Sequence, residues 1–144
     1  MKIAIGSDHA GFQIKEYLKK EIQKQDHEIV DFGAFSEESI DYPDIAHLLT
    51  KSVQDKQFTF GILICGSGNG MAIVANKYYG IRAALCWNPI ITKLARQHND
   101  ANILVLPGRF INEEEAKNFT TIFLNTLFEG GRHQRRVMKI SVIL

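Results

Sequence analysis

Cysteine and net charge are both scarce in this 144-residue sequence. The two cysteines, Cys65 and Cys86, are too few for the disulfide framework that stabilises small secreted domains. The 17 basic and 16 acidic residues give a formal charge of +1. This argues against a general nucleic-acid binder, because such proteins carry a clear basic excess. The charged fraction of 23% is ordinary for a folded protein and argues against disorder.

The sequence also lacks the unbroken apolar segment of about 20 residues that a membrane-spanning helix needs. No charged residue lies between Lys56 and Lys77, but a run of glycines interrupts this stretch. A buried strand followed by a glycine turn explains it better. The N-terminal segment does not resemble a signal peptide, because polar residues from Ser7 onward break its apolar run. We therefore expect a cytoplasmic protein with both thiols reduced and no membrane partner.

The length and the order of the predicted elements indicate a single α/β domain, which we assign to residues 1–144. Short apolar runs alternate with segments of helical periodicity. This alternation predicts a three-layer Rossmann-like fold, in which a five-stranded parallel sheet is flanked by helices. The predicted strands are KIAIG (2–6), EIVDF (28–32), FGILIC (60–65), IRAALC (81–86) and ILVL (103–106).

The near-neutral total charge hides a basic C-terminal segment. Residues 130–144 contain four basic residues and no acidic one, so the rest of the chain has a balance of −3. We predict a short basic helix over 130–144. Arg132 and Arg136 are four residues apart, so they share a helix face and suit a phosphate, whereas Arg135 points elsewhere. The alternative is a solvated basic face.

Three glycines at alternate positions, Gly66, Gly68 and Gly70, follow the third predicted strand. They allow successive backbone N–H groups to point toward one anion, either a phosphate or an oxyanion formed during a reaction. The sequence matches neither the GxxxxGK[ST] nor the GxGxxG pattern. The alternative is a tight strand–helix connection that binds no ligand.

Cys65 directly precedes this glycine loop. A thiol at a helix N-terminus has a lowered pKa and can act as a base or a nucleophile. The alternative is a buried cysteine that packs as a small hydrophobic residue, and we favour that interpretation for Cys86. A zinc site is weakly supported, because the sequence has no CxxC pair and no regular histidine spacing.

Other polar candidates lie at the predicted turns. Asp8 and His9 follow the first strand, where they can bind hydroxyl groups or assist proton transfer, although Asp8 also suits an N-cap. His98, before the fifth strand, is an acid–base candidate or a surface histidine. Arg109, after the fifth strand, can reach a ligand or be solvated.

Together these motifs resemble the B-type ribose-5-phosphate isomerases, over essentially the whole chain. The segments that carry the resemblance are GSDHAGF (6–12), DYPD (41–44), ICGSGNG (64–70), ANK (75–77), GIRA (80–83), RQHNDAN (96–102) and EGGRHQRRV (129–137). The resemblance implies interconversion of ribose 5-phosphate and ribulose 5-phosphate in the non-oxidative pentose phosphate pathway. It also implies no metal, no organic cofactor, and a homodimer, possibly a dimer of dimers. The active sites would then lie at the subunit interface, with His98 or the arginines supplied by the partner chain.

The resemblance also assigns roles to individual residues. It implies that Cys65 is the base, that Ser67 forms a hydrogen bond near it, and that His98 opens the sugar ring with help from Asp8. The resemblance further implies that the enediolate oxygen is bound by the N–H groups of Gly66, Ser67, Gly68, Asn69 and Gly70. It implies that the phosphate is bound by His9, Arg109, Arg132 and Arg136, and that Tyr42 and Asn99 line the sugar.

Two departures from the family pattern bear on these roles. Many members have Thr where this chain has Ser67, which keeps the hydroxyl. Another branch replaces the cysteine by a Glu just after the glycine loop, where this chain has Met71, so the cysteine branch applies. Two alternatives stay open. One is an isomerase of another aldose phosphate, such as allose 6-phosphate or galactose 6-phosphate. The other is a sugar-phosphate binding module without catalysis.

Overall fold

A computed structural model describes residues 1–141 of the chain. Its five strands are parallel and form one sheet in the order β2-β1-β3-β5-β4. The strands are β1 (Lys2–Ser7), β2 (Glu28–Asp31), β3 (Phe60–Cys65), β4 (Ala83–Leu85) and β5 (Ile103–Pro107). The helices are α1 (Phe12–Gln23), α2 (Tyr42–Gln54), α3 (Asn69–Ala75), α4 (Pro89–Gln97), α5 (Glu113–Asn125) and α6 (Arg132–Met138).

The sheet lies between two helical layers, each with its own apolar core. On one face, Leu18 of α1 and Phe119 of α5 pack on β-strand residues such as Ile62. On the other face, Leu49 of α2 and Met71 of α3 pack on residues such as Leu63. Side chains of a strand alternate between the two faces, so β3 is apolar on both, as its continuous apolar run predicts. The predicted three-layer Rossmann-like fold is therefore confirmed.

Several element boundaries differ from the sequence-based prediction. The fourth strand is limited to Ala83–Leu85, shorter than the predicted 81–86. The basic helix α6 covers Arg132–Met138, shorter than the predicted 130–144, because Gly130 and Gly131 both adopt positive φ before it begins. Residues 142–144 of that prediction lie outside the described residues. Over residues 1–141, no helix has the length and apolar character that crossing a membrane requires.

The strand register brings three turns to one edge of the sheet. Ser7 of β1 pairs with Ile64 of β3, and Cys65 of β3 pairs with Pro107 of β5. The carboxyl ends of these central strands therefore lie side by side. In parallel α/β sheets this is the edge at which ligands bind.

Candidate active site

The turns after β1, β3 and β5 are joined by backbone hydrogen bonds. The Asp8 N–H donates to the Ile64 carbonyl at 3.1 Å. The N–H groups of Gly108 and Arg109 donate to the carbonyls of Cys65 and Gly66, at 2.8 and 3.0 Å. These bonds place Asp8 and Arg109 on either side of the residues that follow β3. The fold thus gathers three of the predicted site segments.

Asp8 forms the N-cap that its position after β1 suggested. Its Oδ1 accepts hydrogen bonds from the N–H groups of Ala10 and Gly11, at 2.9 and 3.1 Å. The residue is buried, so its carboxylate is held in one orientation at the end of the strand. The capping role leaves Oδ2 for a further interaction, since only Oδ1 serves the cap.

The Cys65 thiol does not have the lowered pKa that its place before a helix suggested. Burial raises the pKa of the thiol above its ordinary value, and the charge of Asp8 adds to the rise. Hydrogen bonds from the N–H groups of Met71, Gly68 and Gly70 act in the opposite direction without reversing it. The expectation was wrong because it counted the helix end and ignored desolvation. A thiolate formed here is a stronger base than an exposed one.

The glycine loop needs glycine at two positions for different reasons. Gly68 has a φ of 80°, in the left-handed region, and a β-carbon there would lie 2.3 Å from Cδ1 of Leu85. Gly70 has the ring of Tyr42 against it, and a β-carbon would lie 2.5 Å from that ring. The loop therefore brings Tyr42 close to the N–H groups that surround the thiol. The Ser67 hydroxyl accepts a 3.3 Å hydrogen bond from the Asn69 N–H and orders the loop between them.

A cavity of about 490 Å³ opens beside the turn after β5, and its walls include His9 and Arg109 together with the carboxylates of Glu37 and Glu113. The Arg109 guanidinium lies along Gly66, where a β-carbon would be 3.3 Å from Nη1. The Ile40 N–H donates to Nδ1 of His9 at 3.3 Å. In the neutral ring this makes Nδ1 the acceptor and leaves the proton on Nε2. The amide of Ile40 was not predicted from the sequence, which shows side chains but not backbone donors.

A second cluster forms around His98, at the C-terminus of α4. Its ring stacks on the ring of His133 from α6, with centroids 4.1 Å apart and planes 12° from parallel. Asn99 and Arg136 join these rings around a cavity of about 280 Å³. Arg132 is an exposed residue at the start of the same helix. Four of the predicted residues therefore belong to the α4 and α6 region.

Within one chain the two clusters lie at opposite ends of the strands. Cys65 is at the carboxyl end of β3, whereas His98 lies shortly before the start of β5. Asn102, the residue directly before β5, accepts a hydrogen bond from the Gly61 N–H, near the start of β3. The six residues of β3 span about 20 Å. A single chain therefore does not bring His98, Asn99 and Arg136 to the Cys65 thiol.

Glu129 completes the second cluster and was not assigned a role from the sequence. Its Oε2 lies 3.5 Å from Nε2 of His133 and 4.0 Å from Nε2 of His98. Its backbone N–H donates to the Gln97 carbonyl at 3.0 Å, which ties the residue to the end of α4. The spacing of four residues between Glu129 and His133 is the sequence signal that could have indicated this contact.

Among residues 1–141, His98, Glu129 and His133 are the trio whose possible metal-ligating atoms all lie within 4.8 Å of one another. The ring arrangement does not suit a metal ion. A ligating nitrogen directs its lone pair in the plane of its ring, and two stacked parallel rings cannot direct both lone pairs to one point.

Cys86 behaves as predicted. It is fully buried in the core on the α1 and α5 face of the sheet, and its Sγ lies 3.6 Å from the Ala84 carbonyl. Burial raises the pKa of its thiol to about 11. Cys86 therefore packs as a small apolar residue.

Comparisons with known proteins agree with this geometry. The family model described as Ribose/Galactose Isomerase matches residues 3–140. The chain belongs to this family. A curated relative, ribose-5-phosphate isomerase B of Escherichia coli strain K12, is 42% identical over 142 residues, which cover 99% of this chain and 95% of the relative. The predicted family resemblance and its isomerase class are thereby confirmed.

Solved structures of ribose/galactose isomerase family members share the fold closely. A ribose 5-phosphate isomerase of Thermotoga maritima superposes with a TM-score of 0.94 at 54% identity, covering 96% of both chains. Ribose-5-phosphate isomerase B of Mycoplasma genitalium, solved with bound ribulose-5-phosphate, gives a TM-score of 0.93 at 40% identity. That match covers 96% of this chain and 93% of the other.

Proposed function

We propose that this protein is a cofactor-independent aldose–ketose isomerase that interconverts ribose 5-phosphate and ribulose 5-phosphate. The observation that carries the proposal is the Cys65 thiol, which lies beside converging backbone N–H groups at the carboxyl edge of the sheet. Proton abstraction next to a carbonyl needs a base and a set of donors for the developing oxyanion, and this loop supplies both. Membership of the family and the ribulose-5-phosphate bound to a relative support the choice of substrate.

In this proposal Cys65 moves one proton between two carbons. The thiolate removes the proton from C2 of the open-chain aldose, and the electron pair moves onto the carbonyl oxygen at C1, giving an enediolate. The N–H groups from Gly66 to Gly70 stabilise that oxygen. The thiol then returns the proton to C1, while the C2 hydroxyl proton passes to O1, so that C2 becomes the carbonyl. Ser67 holds the loop and donates a hydrogen bond near the reacting atoms.

The phosphate is held at the wall that His9 and Arg109 form in the cavity beside the turn after β5. Nε2 of His9 is an N–H donor because Nδ1 already accepts from Ile40. A phosphate dianion favours such donors, and the planar guanidinium of Arg109 can donate two hydrogen bonds at once. Tyr42, which lies against the glycine loop, lines the sugar.

The remaining groups come from a second copy of the chain. Ribose 5-phosphate is mostly a closed ring, so an acid–base group must open it, and His98 has that role with the Asp8 carboxylate assisting. Within one chain His98, Asn99 and Arg136 lie at the amino ends of the strands, whereas Cys65 lies at the carboxyl end of β3, which supports a homodimer in which each site takes α4 and α6 from the partner. Arg132 and Arg136 then complete the phosphate site. The dimer would operate in the cytoplasm, as part of the non-oxidative pentose phosphate pathway.

Complementation between inactive chains tests this arrangement. Cys65→Ala and His98→Asn chains are each expected to be inactive toward ribose 5-phosphate. Mixed dimers contain one site with both native residues, so unfolding and refolding an equal mixture should restore about a quarter of wild-type activity. Mixing Cys65→Ala with a Cys65→Ala/His98→Asn chain is the control and should restore none. A mixture that stays inactive would contradict the shared site.

Substrate preference is tested separately. The ratio of kcat/KM for ribose 5-phosphate and allose 6-phosphate should favour the pentose. A preference of about tenfold or more for the hexose, equivalent to about 1.4 kcal/mol, would assign the enzyme to a different sugar phosphate.

A further inference from the structure

The turn between α4 and β5 is held by the side chain of Arg82, the residue directly before β4. Its Nε donates to the carbonyls of Asn99 and Asp100, at 3.0 and 2.8 Å. Its Nη2 donates to the Asp100 carboxylate at 3.1 Å, and its Nη1 donates to the Gly80 carbonyl at 3.2 Å. One guanidinium therefore ties two consecutive peptide groups of the turn to the start of β4.

The backbone of Arg82 is fixed in turn by Asn102, the residue that leads into β5. The Arg82 N–H donates to Oδ1 of Asn102 at 2.8 Å, and the Arg82 carbonyl accepts from the Asn102 N–H at 3.0 Å. Nδ2 of Asn102 donates to the Gly80 carbonyl at 2.9 Å. The guanidinium therefore extends from a rigid point beside β5.

Asp100 has a backbone conformation that needs such support. Its φ of 47° lies in the left-handed region, which residues other than glycine seldom adopt. Two arginines share its carboxylate, with Oδ2 3.1 Å from Nη2 of Arg82 and Oδ1 2.8 Å from Nη1 of Arg96. A strained residue keeps its conformation only where its surroundings fix it, and such residues cluster at functional sites.

The same turn carries the groups that the proposed site takes from the partner chain. His98 and Asn99 line the cavity of about 280 Å³ together with Arg136. On its helical side, the His98 N–H donates to the Leu94 carbonyl at 2.9 Å. On the other side, Arg82 holds the carbonyl of Asn99. A shift of the turn would therefore move both His98 and Asn99.

We propose that Arg82 is a positioning residue, which holds the turn from His98 to Asp100 in the geometry that the shared site requires. The inference rests on the proposed function, in which this turn enters the site of the partner chain. Arg82 is also the better residue to replace. Arg96 is buried and packs on the ring of Phe60, whereas the Arg82 side chain is 21% exposed.

Amide hydrogen exchange measures the turn without any substrate. In Arg82→Met, the N–H groups of His98, Asp100 and Ala101 should exchange about tenfold faster or more, because the turn opens more easily without the guanidinium. The N–H groups of β1, two strands away from β5, should keep their wild-type protection. Lys51→Met breaks an exposed 2.6 Å ion pair on α2 and is the matched control, with no change expected at the turn. Wild-type exchange at the turn in Arg82→Met would overturn the proposal.

Kinetics separate the geometry of the guanidinium from its charge. Arg82→Met should lower kcat/KM for ribose 5-phosphate by about a hundredfold, the loss that a misplacement of about 1 Å can cause. Arg82→Lys keeps a positive charge near Asp100 but lacks the planar set of donors, so it should still lose about tenfold. Lys51→Met should keep wild-type kinetics. Full activity in Arg82→Lys would contradict a role that depends on the hydrogen bonds to the turn.

Mixed dimers show on which site Arg82 acts. Arg82→Met refolded with Cys65→Ala gives dimers in which Cys65 of the first chain meets the native turn of the second. About a quarter of wild-type activity should therefore return. With His98→Asn, the site that contains both Cys65 and His98 uses the turn of the Arg82→Met chain, so activity should stay low. The reverse pattern, or equal results in the two mixtures, would show that Arg82 does not act through its own turn.

The mixture of Cys65→Ala with His98→Asn is the reference for this experiment. If that pair does not complement, the shared site of the proposed function is wrong, and hydrogen exchange still decides whether Arg82 holds the turn. If the pair complements but the Arg82→Met mixtures do not follow the expected pattern, the role of Arg82 alone is wrong. The two failures are thus distinguishable.

Discussion

The ring of Tyr42, at the first turn of α2, lies directly against the backbone of Gly70, in the first turn of α3. A β-carbon at position 70 would come within 2.5 Å of two ring carbons. Two segments nearly thirty residues apart in sequence thus fit together only because one lacks a side chain. The contact couples the N–H groups around Cys65 to the proposed sugar-binding ring.

Gly70→Ala should therefore destabilise the protein, although alanine normally favours a helix. The ring or the loop must move, which typically costs about 1–3 kcal/mol of unfolding free energy. Urea unfolding of Gly70→Ala, Tyr42→Ala and the double variant checks this. We expect the double variant to lose clearly less than the sum of the two single losses, since removing the ring frees the space. Additive losses would contradict the contact.

A second glycine substitution separates backbone strain from steric contact. Gly68 and Gly80 both have left-handed φ, at 80° and 75°, but only Gly68 has a neighbour in the way, the Leu85 side chain. Each alanine variant bears a strain cost of about 1 kcal/mol. Gly68→Ala should in addition distort the loop and lose most of kcat/KM, whereas Gly80→Ala should keep it. Similar kinetics in both variants would argue against the close packing at Gly68.

Much of the fold follows from sequence pattern alone. The apolar run of β3 and the alternation of strands and helices predict the parallel sheet, because each pattern reflects local burial. The three-residue spacing of Asn112 and Glu115 is that of a capping box, and both of its hydrogen bonds are present at the start of α5. The strand order was not predicted, since it depends on which faces meet in three dimensions.

The candidate site was predictable in part, for a related reason. Cys65 ends a strand, Asp8 and Arg109 each come just after one, and parallel strands bring such residues together. The pKa of Cys65 depends on desolvation by the whole fold, so the local helix-end argument gave the wrong direction. Glu129 belongs to the EGGRHQRRV segment, but its contact with the rings of His98 and His133 appears only when α6 packs beside the end of α4.

The thiol titration should respond to Asp8. Removing its negative charge in Asp8→Asn should lower the pKa of Cys65, and asparagine can still cap the turn. In a Cys86→Ala background, ultraviolet absorbance of the thiolate reports Cys65 alone. The wild-type midpoint should lie above the ordinary thiol value, and the Asp8→Asn midpoint below the wild-type one. The ascending limb of kcat/KM should move to lower pH in parallel. If the titration midpoint of the thiol is the same in Asp8→Asn and in the wild type, the charge of Asp8 does not raise the pKa of Cys65.

A buried ion pair outside the site predicts the behaviour in acid. The Lys15 side chain is fully buried, with Nζ 2.6 Å from Asp31 and 3.1 Å from Glu16. Burial alone would raise the pKa of Asp31, but hydrogen bonds from Lys15, Lys19 and the Gly33 N–H outweigh it, so the pKa is lowered. The stabilisation is therefore present at neutral pH and is lost as the pH falls through that lowered value.

Asp31→Asn should lose about 3 kcal/mol of unfolding free energy at neutral pH, because Lys15 loses its shortest contact. Its stability should also fall less steeply in acid than that of the wild type. Lys15→Met/Asp31→Asn, which removes both charges, should recover much of the loss. Urea unfolding at neutral and acidic pH makes the comparison. Wild-type stability in Asp31→Asn would mean that Glu16 alone compensates Lys15.

The role of Cys65 as the base is tested most directly by proton exchange. With ribulose 5-phosphate in deuterated water, the wild-type protein should introduce deuterium at C1, because the thiol exchanges its proton with solvent before returning it. Calorimetry should show that Cys65→Ala binds the sugar phosphate with near wild-type affinity. The same variant should introduce no deuterium at C1. Exchange at the wild-type rate in Cys65→Ala would contradict the account, since another group would then be moving the proton.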